Sequence, residues 1–212
     1  MKVSIFGASG ATGTLLTERC LAAGYEVTAL VRTPEKFPLR DGVRVVRGDA
    51  FDPAAVRKTV EEADVVLSAL GARSLRREDV LERAVPLIVE AMRQTGVRRI
   101  VALGSAGATE DSLKKQPFYG RWLAENIIYK TFLKWPVASQ KAQWKILSTS
   151  GLDWTMVMPP KLMNGKPRGK LKVDGEALPR NALFISRADV ADFMMQQIGN
   201  PEWVGKGVYV AY

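Results

Sequence analysis

The sequence predicts an α/β protein built on a doubly wound parallel sheet with helices on both faces, a single domain over 1–212. Three observations carry that expectation. The apolar run Val3-Ser-Ile-Phe6 enters the glycine turn Gly7-Ala-Ser-Gly10-Ala-Thr-Gly13 and leaves it as the helix-patterned Thr14-Leu15-Leu16. Strand-patterned and helix-patterned segments then alternate with short turns, which requires parallel strands covered by helices. A chain of 212 residues holds one such domain with a sizeable core and is too short for two.

Taken in order, 2–6 is the first strand and 11–23 the first helix, stopped by Gly24. The run Tyr25-Glu-Val-Thr-Ala-Leu-Val31 gives a strand at 26–31 that ends in Arg32-Thr33. Strands at 43–47 and 64–69 flank a helix at 53–62, for which Asp52 is the N-cap and Pro53 the first helical residue. A helix at 77–95 closes at Gly96 and contains Pro86, which should bend or split it. A strand at 98–103 follows, then helices at 118–134 and 138–149, the second stopped by Gly151, and a strand at 153–158. Pro159, Pro160, Pro167 and Pro179, with Gly165, Gly169 and Gly175, leave little regular helix in 159–182. A helix at 187–198 and a strand at 207–211 finish the pattern, and the C-terminal part forms a small substrate-side region.

Composition narrows the chemistry. The chain has no histidine, which removes Ser-His-Asp and Cys-His catalysis and leaves no good nitrogen ligand for zinc; no metal is expected. The single Cys20 cannot form an intramolecular disulfide and reads as a small buried thiol. No apolar run is long enough to span a bilayer, so a cytoplasmic protein without membrane attachment is expected. The net charge of +9 favours anionic partners. Basic runs at Arg73-Ser-Leu-Arg76-Arg77, Lys114-Lys115 and Lys161 to Lys172 come without a nucleic-acid motif and read as solvated surface rather than a nucleic-acid site.

The glycine turn carries the sharpest chemistry. One glycine permits the tight turn, one lets backbone N–H groups approach a pyrophosphate, and one lets the helix pack on the strand. The helix N-terminus adds unpaired donors and a positive dipole end. Arg32 stands where a site specific for NAD would carry an acidic residue, and its planar fork suits a 2′-phosphate, so NADP(H) is the expected cofactor. In such a sheet ligands bind beyond the C-terminal ends of the strands, which gathers the glycine turn, Arg32, Asp49, Leu70-Gly71, Ser105 and Met158-Pro159-Pro160-Lys161 at one edge. Asp49 also reads as a local cap, Ser105 as a partner for a strand-end backbone group, and Lys161 as a solvated lysine.

These residues resemble the atypical short-chain dehydrogenase/reductases of the NAD(P)H-binding, NmrA-like kind. The resemblance runs through Ile5 to Gly13, Gly24 to Arg32, Gly48-Asp49, Ser150-Gly-Leu-Asp-Trp-Thr155 and Ile185-Ser-Arg-Ala-Asp-Val-Ala-Asp192. Met158-Pro159-Pro160 is similar to the biliverdin reductase B and flavin reductase group. The resemblance implies that Gly7, Ser9, Gly10, Ala11, Thr12 and Gly13 hold the pyrophosphate and Arg32 the 2′-phosphate. It further assigns Asp49 and Ala50 to the adenine side, and Leu70, Gly71 and Pro159 to the rest of the cofactor. Ser105 would stand beside the nicotinamide and substrate, and Lys161 would supply a cation. Two features depart from the pattern. The Tyr-x-x-x-Lys pair is missing, since Leu123 follows Tyr119 and Leu133 follows Tyr129 at that spacing, and Lys161 stands where the group has histidine.

The expected activity is hydride transfer from NADPH to a planar, anionic, conjugated acceptor: a flavin, a quinone or a linear tetrapyrrole (bilin). The alternative is an NADPH-sensing regulator without turnover. Monomer and homodimer both remain open. The aromatic series Phe118, Tyr119, Trp122, Tyr129, Phe132 and Trp135 has helical spacing, which favours core or dimer packing over an acceptor pocket.

Overall fold

The computed structural model describes residues 1–72 and 74–212; of the basic run at 73–77, Arg73 lies outside the described residues. The chain alternates as expected through β1 (Lys2–Phe6), α1 (Ala11–Ala22), β2 (Glu26–Val31), β3 (Arg44–Arg47), α2 (Pro53–Val60), β4 (Val65–Ser68), α3 (Val80–Thr95) and β5 (Arg99–Leu103). After α4 (Phe118–Leu123) and α5 (Lys134–Ser148) come β6 (Asp153–Met158), β7 (Lys161–Met163), β8 (Lys172–Asp174), β9 (Phe184–Ser186), α6 (Arg187–Gln196) and β10 (Lys206–Ala211). The main sheet has the order β3-β2-β1-β4-β5-β6-β10-β8, parallel throughout except for β8, which runs antiparallel to β10. The order reverses between β1 and β4, the place where such sheets open a ligand crevice.

Two apolar layers explain why the strands read as continuous hydrophobic runs: every residue of β4 is buried because both faces are covered. Phe6, Val56, Ile88, Met92 and Leu147 fill the layer beneath α2, α3 and α5. Ile5, Leu16, Val190 and Met194 fill the layer beneath α1 and α6. Cys20 lies in this second layer, where burial pushes its thiol up to about 12, as befits an inert packing residue.

Three local expectations need correction. Of the two outcomes expected at Pro86, splitting does not occur: α3 is one helix from Val80 to Thr95, and Pro86 sits on its exposed face, where water can serve the carbonyl left without a donor. The segment 118–134 is not a single α-helix, because α4 passes into a π-helix over Ala124–Phe132. Of the aromatic series, Tyr129 packs against the core, while Phe118, Tyr119, Trp122, Phe132 and Trp135 are exposed. The region 159–182 indeed contains no helix, but it holds β7 and β8; β7 pairs in parallel with β9 as a small second sheet above the ligand edge.

Asp189 ties that region down. Its carboxylate, 2% exposed, accepts the N–H groups of Arg168 (2.8 Å) and Gly169 (2.9 Å), the Ser186 hydroxyl (2.7 Å) and the Tyr212 hydroxyl. Burial pushes its pKa up, but these hydrogen bonds prevail and hold it below the ordinary carboxylate value. Its contribution to stability is therefore complete above the unfolded-state value, about 3.9, and is lost as pH falls through the lower folded value. Urea melts across pH should show stability falling below about pH 4, and Asp189→Asn should flatten that acid limb while costing about 1–3 kcal/mol at neutral pH.

Candidate cofactor and acceptor cleft

The glycine turn is built by close backbone approaches. Gly7 takes φ +78°, and a Cβ there would stand 2.7 Å from the carbonyl of Ala69, just past the end of β4. The turn is therefore pressed against the point where strand order reverses. Gly10 donates its N–H to the Gly7 carbonyl (2.9 Å) and caps α1 with no side-chain acceptor. The first-turn amides of α1 are thus left for an external anion, and no acidic residue in that turn opposes one. Gly13 is the tightest point, with a virtual Cβ 2.0 Å from the Gly7 oxygen, so only glycine lets α1 lie this close to the turn.

From the turn a cleft runs in both directions. On one side a lobe of about 270 Å³ is walled by Leu30, Arg32, Asp49, Ala50, Phe51 and Leu70. Arg32 and Asp49 face one another there, Nη1 to Oδ2 3.9 Å, both near half exposure. Asp49 also accepts the Phe51 N–H (3.1 Å), whereas the cap of α2 is Asp52, which accepts from Ala54 (2.9 Å). On the other side a lobe of about 610 Å³ passes Ser9, Gly10, Ala11 and Thr12, then Leu70-Gly71, and reaches Ser105. Its volume is in the range of small-molecule clefts, about 300–1,000 Å³.

The far wall of the larger lobe contains residues that the sequence reading did not single out. Pro136 and Gln140, four apart on α5, face the cleft. Gln143 behind them is fully buried and donates its amide to the Leu103 carbonyl (3.0 Å) and to Gln140 Oε1 (3.5 Å). That chain fixes the Gln140 amide with its oxygen inward, leaving its NH₂ to face the cleft. Ser105 follows β5 and accepts the Gly107 N–H on Oγ (3.3 Å), so its own proton remains available.

Two expected site residues do not reach the cleft. Pro159 is buried, and its carbonyl is taken by the Ala106 N–H (2.8 Å). Lys161 is exposed on β7, while its neighbour Leu162 lines the cleft; side chains alternate along a strand, so the two point to opposite faces. Among the described residues the cation on this wall is Arg187, the first residue of α6, whose Nη1 donates to Asn164 Oδ1 (2.7 Å). One sequence signal could have found it: Ser186-x-x-Asp189 is a helix start, with Ser186 Oγ accepting the Asp189 N–H (2.9 Å), and that puts Arg187 at a strand end. A cation at a helix N-terminus opposes the helix dipole, which makes this arginine a feature in need of a function.

A doubly wound sheet with this turn defines a Rossmann-type dinucleotide-binding protein. The chain belongs to the NAD(P)H-binding family, which matches residues 7–201, and its cofactor is NAD(P)H. It is similar to the uncharacterised protein YwnB of Bacillus subtilis (strain 168), 26% identical over 209 residues, or 95% of this chain and 94% of YwnB. Among solved structures it resembles ChuY, an anaerobillin reductase from Escherichia coli O157:H7, with 22% identity, TM-score 0.78, and coverage of 100% of this chain and 97% of ChuY. A short-chain dehydrogenase/reductase from Veillonella parvula in complex with NADP gives 19% identity, TM-score 0.78, and coverage of 100% and 94%. At such identities these two likenesses are of fold.

Proposed function

We propose that the protein is an NADPH-dependent oxidoreductase of the NmrA-like, biliverdin and flavin reductase type, acting as one unit over 1–212 on a flat conjugated acceptor that carries acid groups. The observation that carries this reading is the wall of the larger lobe: a hydroxyl (Ser105), an amide donor (Gln140) and a cation (Arg187), with no acid/base pair among the described residues that line it. The α5 positions facing the cleft hold Pro136 and Gln140, neither of which can act as the acid of carbonyl reduction. Flavins, quinones and bilins need no such acid, because charge arriving on an extended ring is stabilised by nearby donors and solvent supplies the proton. A bilin reductase among the structural neighbours supports the bilin in that set.

When bound, NADPH supplies a hydride. The chain's own residues then do the rest. Gly7, Gly10 and Gly13 let the α1 amides reach the pyrophosphate, and Arg32 pairs with the 2′-phosphate. Asp49 and Ala50 border the adenine lobe, and Leu70-Gly71 border the path towards Ser105. Ser105 and Gln140 donate hydrogen bonds to the heteroatom on which charge collects, and Arg187 anchors a phosphate or propionate, the task first expected of Lys161.

Steady-state kinetics with an acid-bearing and an uncharged acceptor test the assignment. Arg187→Ala should raise KM for FMN or biliverdin by roughly tenfold, the loss of one charge-assisted bond, and leave both the NADPH dissociation constant and the KM of an uncharged quinone unchanged. Equal effects on both acceptors would remove Arg187 as the anion anchor. The absence of an acid/base pair also favours a second reading, a regulator that senses NADPH without turnover.

A further inference from the structure

The most exposed apolar surface lies outside the cleft. Over Phe118–Phe132 no residue is buried, although the segment comprises α4 and the π-helix and carries five aromatic residues besides Leu123, Ile127 and Ile128. Phe118 is 74% exposed, Tyr119 85%, Trp122 52% and Phe132 65%. The side turned towards the body is represented by Tyr129, which packs beside Gly107. Trp122, Ile127 and Phe132 are spaced by fives, the interval of a π-helix, and Leu133 closes the last such turn on the Ile128 carbonyl (2.8 Å). All three of these large side chains stand exposed along the arm, Trp122 near the end of α4 and Ile127 and Phe132 on the π-helix.

Cations frame this arm. From 114 to 135 there are five, Lys114, Lys115, Arg121, Lys130 and Lys134, against the single acid Glu125. Arg121 is spent on Glu125 (2.8 Å), and Lys114 and Lys115 pair with Glu176 and Asp174. Lys130 meets only the neutral Asn126 (2.9 Å), and Lys134 and Arg77 lie over the ring of Trp135 at 5.0 and 5.3 Å. Among the described residues these last three cations have no carboxylate partner.

We propose that this arm docks on an anionic lipid surface. Aromatic side chains with interleaved lysines suit the boundary between headgroups and acyl chains, and the unpaired cations supply attraction to acidic lipids. A second copy fits less well: a two-fold contact sets the same patch against itself, so a positive face would meet a positive face. The contact is superficial, since no helix among the described residues is long and apolar enough to cross a membrane. It sets aside the expectation of no membrane partner, and because Trp135 directly precedes Pro136 of the cleft wall, it brings the cleft near lipid.

The test is co-sedimentation of the full chain with phosphatidylcholine vesicles, with and without phosphatidylglycerol, alongside sedimentation equilibrium without lipid. The expected result is at least ~10-fold stronger partition into the phosphatidylglycerol vesicles, weakened by added salt. Trp122→Ser with Phe132→Ser, and separately Lys130→Glu with Lys134→Glu, should each reduce it by about tenfold with circular dichroism unchanged. Equal partition into both vesicles, or into neither, overturns the proposal. A dimer that the same substitutions dissociate, without vesicle binding, overturns it in favour of a second copy.

Discussion

Gly13→Ala is expected to lose cofactor binding and to destabilise the chain by about 1–3 kcal/mol, the range for overpacking. The added methyl would stand 2.0 Å from the Gly7 oxygen and 2.7 Å from its carbonyl carbon, and both are backbone atoms of a turn already pressed on Ala69. No side chain can move aside, so α1 must lift from the turn. Its first-turn amides then leave the pyrophosphate position, and losing two hydrogen bonds to a charged ligand is worth roughly 100-fold in affinity or more. Fluorescence titration with NADPH and a urea melt measure the two effects. Gly24→Ala is the control at the other end of the same helix: φ is +74° but nothing lies within 4 Å of the added methyl. It should cost about 1–2 kcal/mol through backbone strain and leave cofactor affinity intact.

Arg32→Asp should reverse the cofactor preference. Arg32 borders both lobes of the cleft and sits 3.9 Å from Asp49, half exposed and able to turn its fork to a 2′-phosphate. The substitution removes that fork and adds a second carboxylate beside Asp49, which repels the phosphate and accepts the ribose hydroxyl of NADH. A fall of about 100-fold in the NADPH/NADH affinity ratio is expected from one charge-assisted bond and the added repulsion. An unchanged ratio would mean that Arg32 does not read the 2′-phosphate.

Much of this was legible in the sequence where the cause is local. The glycine turn, Asp52-Pro53 and the arginine after β2 depend on neighbours a few residues away, and the alternation of strands and helices follows from burial on two faces. Residues whose role depends on the chain returning from a distance were not legible. Gln140 faces the cleft because Gln143 bonds to the Leu103 carbonyl, forty positions earlier, and Arg187 does so because β9 pairs with β7. Lys161, read as a loop cation or a solvated lysine, is exposed on β7, and a three-residue strand gives no pattern from which to read which face a residue takes. The aromatic series was legible only in part for a different reason: helical spacing of large apolar residues looks the same whether a side chain packs inward, as Tyr129 does, or is left bare, as Phe118 and Phe132 are.

The most direct test of the central claim is NADPH consumption by the purified protein, followed by absorbance, with FMN, a simple quinone and biliverdin each offered separately and NADH as the control. The expected result is saturable turnover with at least one acceptor, faster with NADPH than with NADH. Tight NADPH binding without turnover on any of the three would contradict the reductase reading and leave the cofactor sensor in its place.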